Sequence, residues 1–200
     1  MMARIWAAGF AVMASVTAFA DTPANDEYSL GEIVVTAQKR SESLQRVPIS
    51  IAVLTADQLI QSKFDSPSDL AAQIPNLQVN GINGEGTPIF SLRGVSMFDY
   101  SANQSSPVAS YIDEVYKGNF VLFGVEMFDL ERVEVLRGPQ GTLYGKNTPG
   151  GAINFITRKP RFDTEGFIKA GIGNYDRREV EGALQGALIP DRVAARFAFT

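Results

Sequence analysis

The chain has 200 residues, 45% of them apolar and 20% charged, enough for one ordinary core and a second small element. Its net charge is −4 with no basic stripe to hold a phosphate backbone, so nucleic acid is not expected as a partner. Cysteine and histidine are both absent, which excludes disulfides, a thiolate nucleophile or metal site, and the commonest general base and transition-metal ligand. Most routes to hydrolytic or metal chemistry are thereby closed, and no catalytic residue, metal or cofactor is expected.

Residues 1–20 have a composition of their own. Arg4 is their only charge, an apolar run follows it, and Ala18-Phe19-Ala20 places small residues where a leader peptidase reads. That pattern predicts a secretory signal peptide cleaved after Ala20, and the loss of Arg4 makes the mature chain one unit more negative. A membrane anchor is the alternative, but the run is shorter than the roughly 20 residues a spanning helix needs, and Asp21-Thr22-Pro23 follows at once.

Residues 21–46 read as a disordered segment, short and polar at first. It is interrupted by one β-prone hexamer, Glu32-Ile33-Val34-Val35-Thr36-Ala37, with the polar linker 38–46 after it. Such a hexamer either adds to a partner's sheet edge, where main-chain bonds give affinity, or pairs in its own domain as an edge strand. Spacing alone favours the second, since short Val-rich runs are common.

Residues 47–54 read as a strand, and Thr55 to Gln58 as a capping box opening a helix that reaches about Lys63. Ser66-Pro67-Ser68-Asp69 caps a second helix, stopped by Pro75. Strands are expected at 77–82, 89–92 and 110–116, with loops at 83–88, 95–107 and 118–127 between them. Residues 130–160 then carry two strands, 132–136 and 151–157, around Gly138, Gly141, Gly145, Gly150 and Gly151, with prolines at 139 and 149. Strands and short helices without regular βαβ alternation predict a small α+β domain over 47–160.

After Pro160 three segments alternate strictly. Ile168, Ala170 and Ile172 face one way, as do Val180, Leu184 and Leu188, and then Val193, Phe197 and Phe199. Dyad alternation in segments of about nine to eleven residues is the transmembrane β-barrel signature, although a soluble meander alternates in the same way. The export signal tilts the reading toward an outer membrane. A phosphate loop is the weakest reading of the glycine run. Between Gly141 and Gly145 stand three residues where a Walker A loop has four, and Asn147 follows Lys146 where Ser or Thr is required.

In this order the pieces resemble the N-terminal part of an outer-membrane TonB-dependent receptor. Residues 32–37 look like a TonB box, and Ser91-Leu92-Arg93-Gly94 is similar to the Arg-Gly strand end of the plug domain. Tyr111-Ile112-Asp113-Glu114-Val115-Tyr116 matches the plug's following strand. Residues 130–160 resemble the plug run from Glu-x-Val-Glu-Val through Gly-Pro-x-Gly-x-x-Tyr-Gly to Gly-Gly-x-Ile-Asn.

The resemblance implies an α+β plug domain, a mixed small sheet with short helices over 47–160, followed at 161–200 by the first three or so antiparallel strands of a transmembrane β-barrel. It further implies a cell outer-membrane location and TonB-energised uptake of a small ligand, siderophore-bound iron by default. TonB, with its inner-membrane energising complex, would bind Glu32, Ile33, Val34, Val35, Thr36 and Ala37. The barrel would face outer-membrane lipid, and no covalent chemistry is implied. Arg93, Glu131, Glu134 and Arg137, with Arg132, would meet polar barrel wall or one another, and the five glycines would serve packing within the lumen. Asn83, Met97, Phe98, Tyr100, Asn103 and Gln104 become candidate ligand contacts. A barrel of this family has about 22 strands, and three cannot close, so the chain is expected to be a fragment. A free periplasmic TonB-binding module is the alternative reading.

Overall fold

The computed structural model describes residues 32–200 apart from 65, 82–86, 99–100, 102–103, 120–126, 175 and 177. The expected signal peptide and its cleavage site after Ala20 lie outside the described residues, as do the candidate ligand contacts Asn83, Tyr100 and Asn103.

Five strands form one mixed sheet in the order β3-β8-β9-β6-β7: β3 (Ile51–Thr55), β8 (Leu130–Arg137), β9 (Gly151–Thr157), β6 (Val108–Ile112) and β7 (Val115–Tyr116). All pairings are antiparallel except β6 with β9. The strand expected over 110–116 is two strands, because Asp113 and Glu114 both take left-handed backbone angles, φ 46° and 69°. Two consecutive positive φ values turn the chain in a tight hairpin. A short charged turn of this kind is masked by the apolar residues on either side of it.

The central strands β8 and β9 are covered on both sides, so their alternation does not separate buried from solvent-facing positions. On one face Val133, Val135, Ile153 and Phe155 join a core with Leu54, Leu59, Leu70, Ile74, Phe90 and Leu92. The elements supplying that core are α1 (Ala56–Gln61), α2 (Leu70–Gln73) and the hairpin of β4 (Leu77–Gly81) with β5 (Pro88–Leu92). Both helical starts are made by reciprocal capping boxes, Thr55 with Gln58 and Ser66 with Asp69. The second helix is entered through a 3-10 turn at Pro67–Asp69.

The opposite face carries Leu136, Ala152, Ala109 and Tyr111, and on it lies a hairpin of β1 (Val34–Val35) with β2 (Glu42–Ser43). Val35 and Ala37 are fully buried there. The disorder expected over 21–46 therefore fails for 32–46. The presumed linker is a turn in which the Lys39 amide donates to the Thr36 carbonyl, followed by β2 and a 3-10 turn at Leu44–Arg46. The reason is tertiary. Full burial of one Val side chain stabilises by roughly 1.5–3 kcal/mol, and only the assembled sheet offers the face that permits it.

The third unit is an antiparallel sheet of β10 (Glu165–Ile172), β11 (Arg178–Ile189) and β12 (Val193–Phe199). Register puts Ile168, Val180, Leu184 and Phe197 on one face, and all four are exposed. The other face carries Lys169 paired with Glu181 at 3.6 Å, and Gln185 donating to Glu165 at 3.2 Å. Ala183 and Gln185 on that polar face are buried. Among the described residues no helix is long and apolar enough to cross a membrane.

Candidate functional site

The hexamer 32–37 and the sheet face beneath it form the site. The Leu44 amide donates to the Ile33 carbonyl at 2.8 Å, and the register pairs Val34 with Ser43. Hydrogen-bonded and non-bonded pairs alternate in an antiparallel ladder, so Val35 faces β2 while the main-chain groups of Val34 and the Thr36 amide face away. The outer edge of β1 is where another strand could add.

Two side chains of the plug sheet reach the end of that edge. Glu134, on β8, is wholly buried, and its Oε1 accepts from the Thr36 amide at 2.8 Å and from Thr36 Oγ1 at 3.2 Å. A buried carboxylate is costly unless paired and hydrogen-bonded. Arg132 supplies the pairing: Nε donates to Glu134 at 2.8 Å, Nη1 to Glu131 at 2.6 Å and Nη2 to Thr36 Oγ1 at 3.3 Å.

Tyr144 closes the short helix α3 (Gly141–Tyr144) in the glycine-rich connection. Its hydroxyl donates to the Ala37 carbonyl at 2.8 Å and accepts from Asn154 Nδ2 at 2.9 Å. The Tyr111 hydroxyl donates to the Tyr144 carbonyl at 2.6 Å, with the two rings edge-on at 5.1 Å. Lys39 Nζ lies 5.6 Å from the centre of the Tyr144 ring, holding the hairpin turn over the same residue. Burial, above all, pushes the Tyr144 phenol up to about 12; the Asn154 hydrogen bond opposes this, and nearby Glu134 and Tyr111 add to it. Among the described residues, Asn154 Oδ1 is buried beside this group without a hydrogen-bond partner.

The other expected site residues lie in several places. Among the described residues none of Arg93, Glu131, Glu134 and Arg137 bonds to β10, β11 or β12. Glu131 and Glu134 meet Arg132, Arg93 Nη2 donates to Ser50 Oγ at 3.3 Å, and Arg137 Nε is buried with no partner among the described residues. The bond from plug to third sheet is instead made by Asp129, gripped by both Arg196 Nε and Nη2. Asp129 precedes β8 at a left-handed φ of 55°, a position that period-2 reading treats as loop.

The five glycines divide by role. A Cβ at Gly151 would run into the Leu136 carbonyl oxygen and Leu92, and one at Gly150 would sit 2.9 Å from Val95, so these two serve close packing. A Cβ at Gly138 or Gly145 would meet no described atom within 4 Å, but both take left-handed φ, +90° and +88°, and Gly141 begins α3. Of the candidate ligand contacts, Met97 is turned into the core at 5% exposure and is corrected to a packing residue, whereas Phe98 and Gln104 are exposed. Sequence reasoning passed over Tyr144, Asn154, Tyr111, Asp129 and Arg196. Tyr144 had a signal, as the aromatic residue inside a turn otherwise made of glycines.

A sheet with an N-terminal β segment seated on one face, continuous with antiparallel strands whose outer face is apolar, defines a plug-type domain. The family model of the TonB-dependent receptor plug domain matches residues 43–152, and the chain belongs to that family. It is 33% identical over 170 residues to the pesticin receptor of Yersinia pestis, covering 84% of this chain and 24% of that protein. To the ferrioxamine B receptor of Salmonella typhimurium it is 30% identical over 159 residues, covering 74% and 21%. Among solved structures, the ferric yersiniabactin uptake receptor from Yersinia pestis aligns with a TM-score of 0.64 at 31% identity, over 71% of this chain and 22% of that one. The alcaligin outer-membrane receptor of Bordetella pertussis shares the fold, with a TM-score of 0.66 at 20% identity over 82% and 28%. The chain spans about a quarter of the length of the curated relatives it matches first.

Proposed function

We propose that this chain is the N-terminal portion of an outer-membrane transporter that takes up a scarce small ligand, a ferric siderophore by class, using work delivered through TonB. Residues 32–37 are the segment TonB takes hold of, by adding a strand to the outer edge of β1. The observation that carries this is the hairpin itself: β2 occupies one edge of β1, and among the described residues no strand pairs with the other. Strand addition uses such an edge, with alternate side chains giving selectivity. The exposed apolar row of Ile168, Val180, Leu184 and Phe197 supports lipid on the outside of β10–β12, with the polar row turned to the plug. Relatives named for ferric yersiniabactin and ferrioxamine B support the ligand class. Phe98 and Gln104 stand as candidate ligand contacts, and the leader would be removed after Ala20. No bond of the ligand is made or broken.

Val34→Pro in the full-length receptor tests the assignment. Its amide faces away from β2, so proline removes a donor for the incoming strand while leaving the β1–β2 ladder intact. Binding of the purified periplasmic domain of TonB, and uptake of radiolabelled ferrioxamine B or another ferric siderophore that the unaltered receptor imports, are expected to fall to background with barrel assembly unchanged. Unimpaired uptake by the variant would sink the proposal.

A further inference from the structure

We infer that Lys159, Arg161 and Arg192 form a cationic rim that holds the phosphate of an anionic phospholipid of the periplasmic leaflet, where the plug passes into the wall strands. The inference rests on the reading of β10–β12 as membrane strands and adds a lipid headgroup site to it.

The apolar face of β10–β12 ends in a defined edge. The ladder between β11 and β12 shifts register between Ala187 and Ile189, which sets Ile189 opposite Val193. Val193 shares the parity of Phe197, so this bulge brings Ile189 onto the apolar face. Both are exposed, and so is Phe162, which precedes β10 at the same end of the sheet. An aromatic side chain at the end of an apolar band marks the level of the lipid headgroups.

Three cations stand just beyond that edge. The basic run 158–161 divides in two. Arg158 turns back to the plug, its Nε donating to the Leu130 carbonyl at 3.4 Å and lying 3.9 Å from Asp129. Lys159 and Arg161 are exposed, as is Arg192, in the turn over 190–192 that joins β11 to β12 at this same end. Among the described residues none of these three side chains is in an ion pair. Asp163 and Asp191 lie in the same stretches, but they are short, and Asp191 holds the tight turn at a φ of 55°. Arg and Lys instead lay apolar stems along a greasy surface and carry their charge to its edge. A guanidinium also meets a phosphate through two parallel N–H bonds. Short turns are the periplasmic connections of such barrels, and the plug enters the wall at this end, which sets the rim against the phospholipid leaflet.

The full-length receptor, extracted from outer membranes in mild detergent, is titrated with dioleoylphosphatidylglycerol or dioleoylphosphatidylethanolamine. Bound lipid is counted by native mass spectrometry. The unaltered receptor is expected to bind the first at least about tenfold more tightly. Each cation beside an anionic headgroup contributes about fivefold in affinity, so Lys159→Gln, Arg161→Gln and Arg192→Gln together should abolish the preference. Arg161→Lys keeps the charge and should keep most of it. Arg46→Gln, Lys146→Gln and Arg178→Gln together remove the same charge from exposed positions elsewhere and should leave the preference intact. Equal affinity for the two lipids in the unaltered receptor, or an equal loss in that comparison variant, overturns the site. So does tighter binding of lipid A, from the other leaflet, that the three rim substitutions remove. If alkaline carbonate without detergent releases the receptor from membranes, the reading of β10–β12 as membrane strands falls instead, and the inference falls with it.

Discussion

Tyr144 uses its hydroxyl proton to hold the Ala37 carbonyl, so the contact requires a neutral phenol. Its pKa is raised from the ordinary 10.0 to about 12, foremost by burial, which means that the fold favours the protonated form. The stabilisation is therefore complete below pH 10 and is lost as pH rises from 10 toward about 12. The urea midpoint of the plug should fall through that alkaline window, and Tyr144→Phe, which has no phenol to ionise, should lessen the fall. Tyrosinate absorbance, compared between receptors with and without Tyr144→Phe, checks that this residue titrates there. Glu134 sits differently, a carboxylate with no exposure whose partners are Arg132 and Thr36. Nothing in the pattern Glu-x-Val-Glu-Val separates its two carboxylates. Glu131 remains at the surface beside Arg132, while Glu134 faces the hairpin.

Among the elements, β9 begins where the chain has least room. Gly151 has a φ of +146° and no space for a Cβ between the Leu136 carbonyl and Leu92. Gly151→Ala should destabilise the plug by roughly 1–3 kcal/mol from overpacking, with backbone strain of similar size added. A lower urea midpoint for protease resistance of the plug would show it, and the same substitution at Gly141, where an added Cβ would meet no described atom within 4 Å, should shift the midpoint far less. Element types were largely legible. The capping boxes at Thr55 and Ser66 announce their helices through the hydroxyl and the side chain three residues on, and the β9 strand at 151–157 lies where its β-prone run places it. What escaped were features that depend on a neighbour in space. The turn at Asp113-Glu114 is marked by no glycine, and the hairpin at 32–46 is held by side chains about a hundred positions away.

At the scale of the molecule, the plug and the third sheet are joined through Asp129 and Arg196, whose side chains are only 8% and 9% exposed. Arg196 also donates to Gln185 at 2.9 Å, and Gln185 to Glu165, so the clasp continues across the polar face of all three strands. Asp129→Ala would leave a buried guanidinium without its bidentate partner, at a cost of about 3–5 kcal/mol. The Asp129→Ala, Arg196→Ala and double variants form a cycle in which the double should lose much less than the sum of the singles. Plug release, read as trypsin sensitivity in outer-membrane vesicles, is the measurement. Additive effects would show that the pair is not coupled.

Local chemistry was enough to determine the element types, the outward apolar face of β10–β12 and the family, since capping, alternation and the glycine-rich motif are properties of neighbouring residues. Only the tertiary structure decided what the hexamer 32–37 does in the folded chain and which charges join the plug to the strands beyond it. A β-prone stretch carries the same propensity whether free or docked. Its state depends on a surface assembled from Ala109, Tyr111, Leu136 and Ala152 on three separate strands, and on two side chains that reach it there.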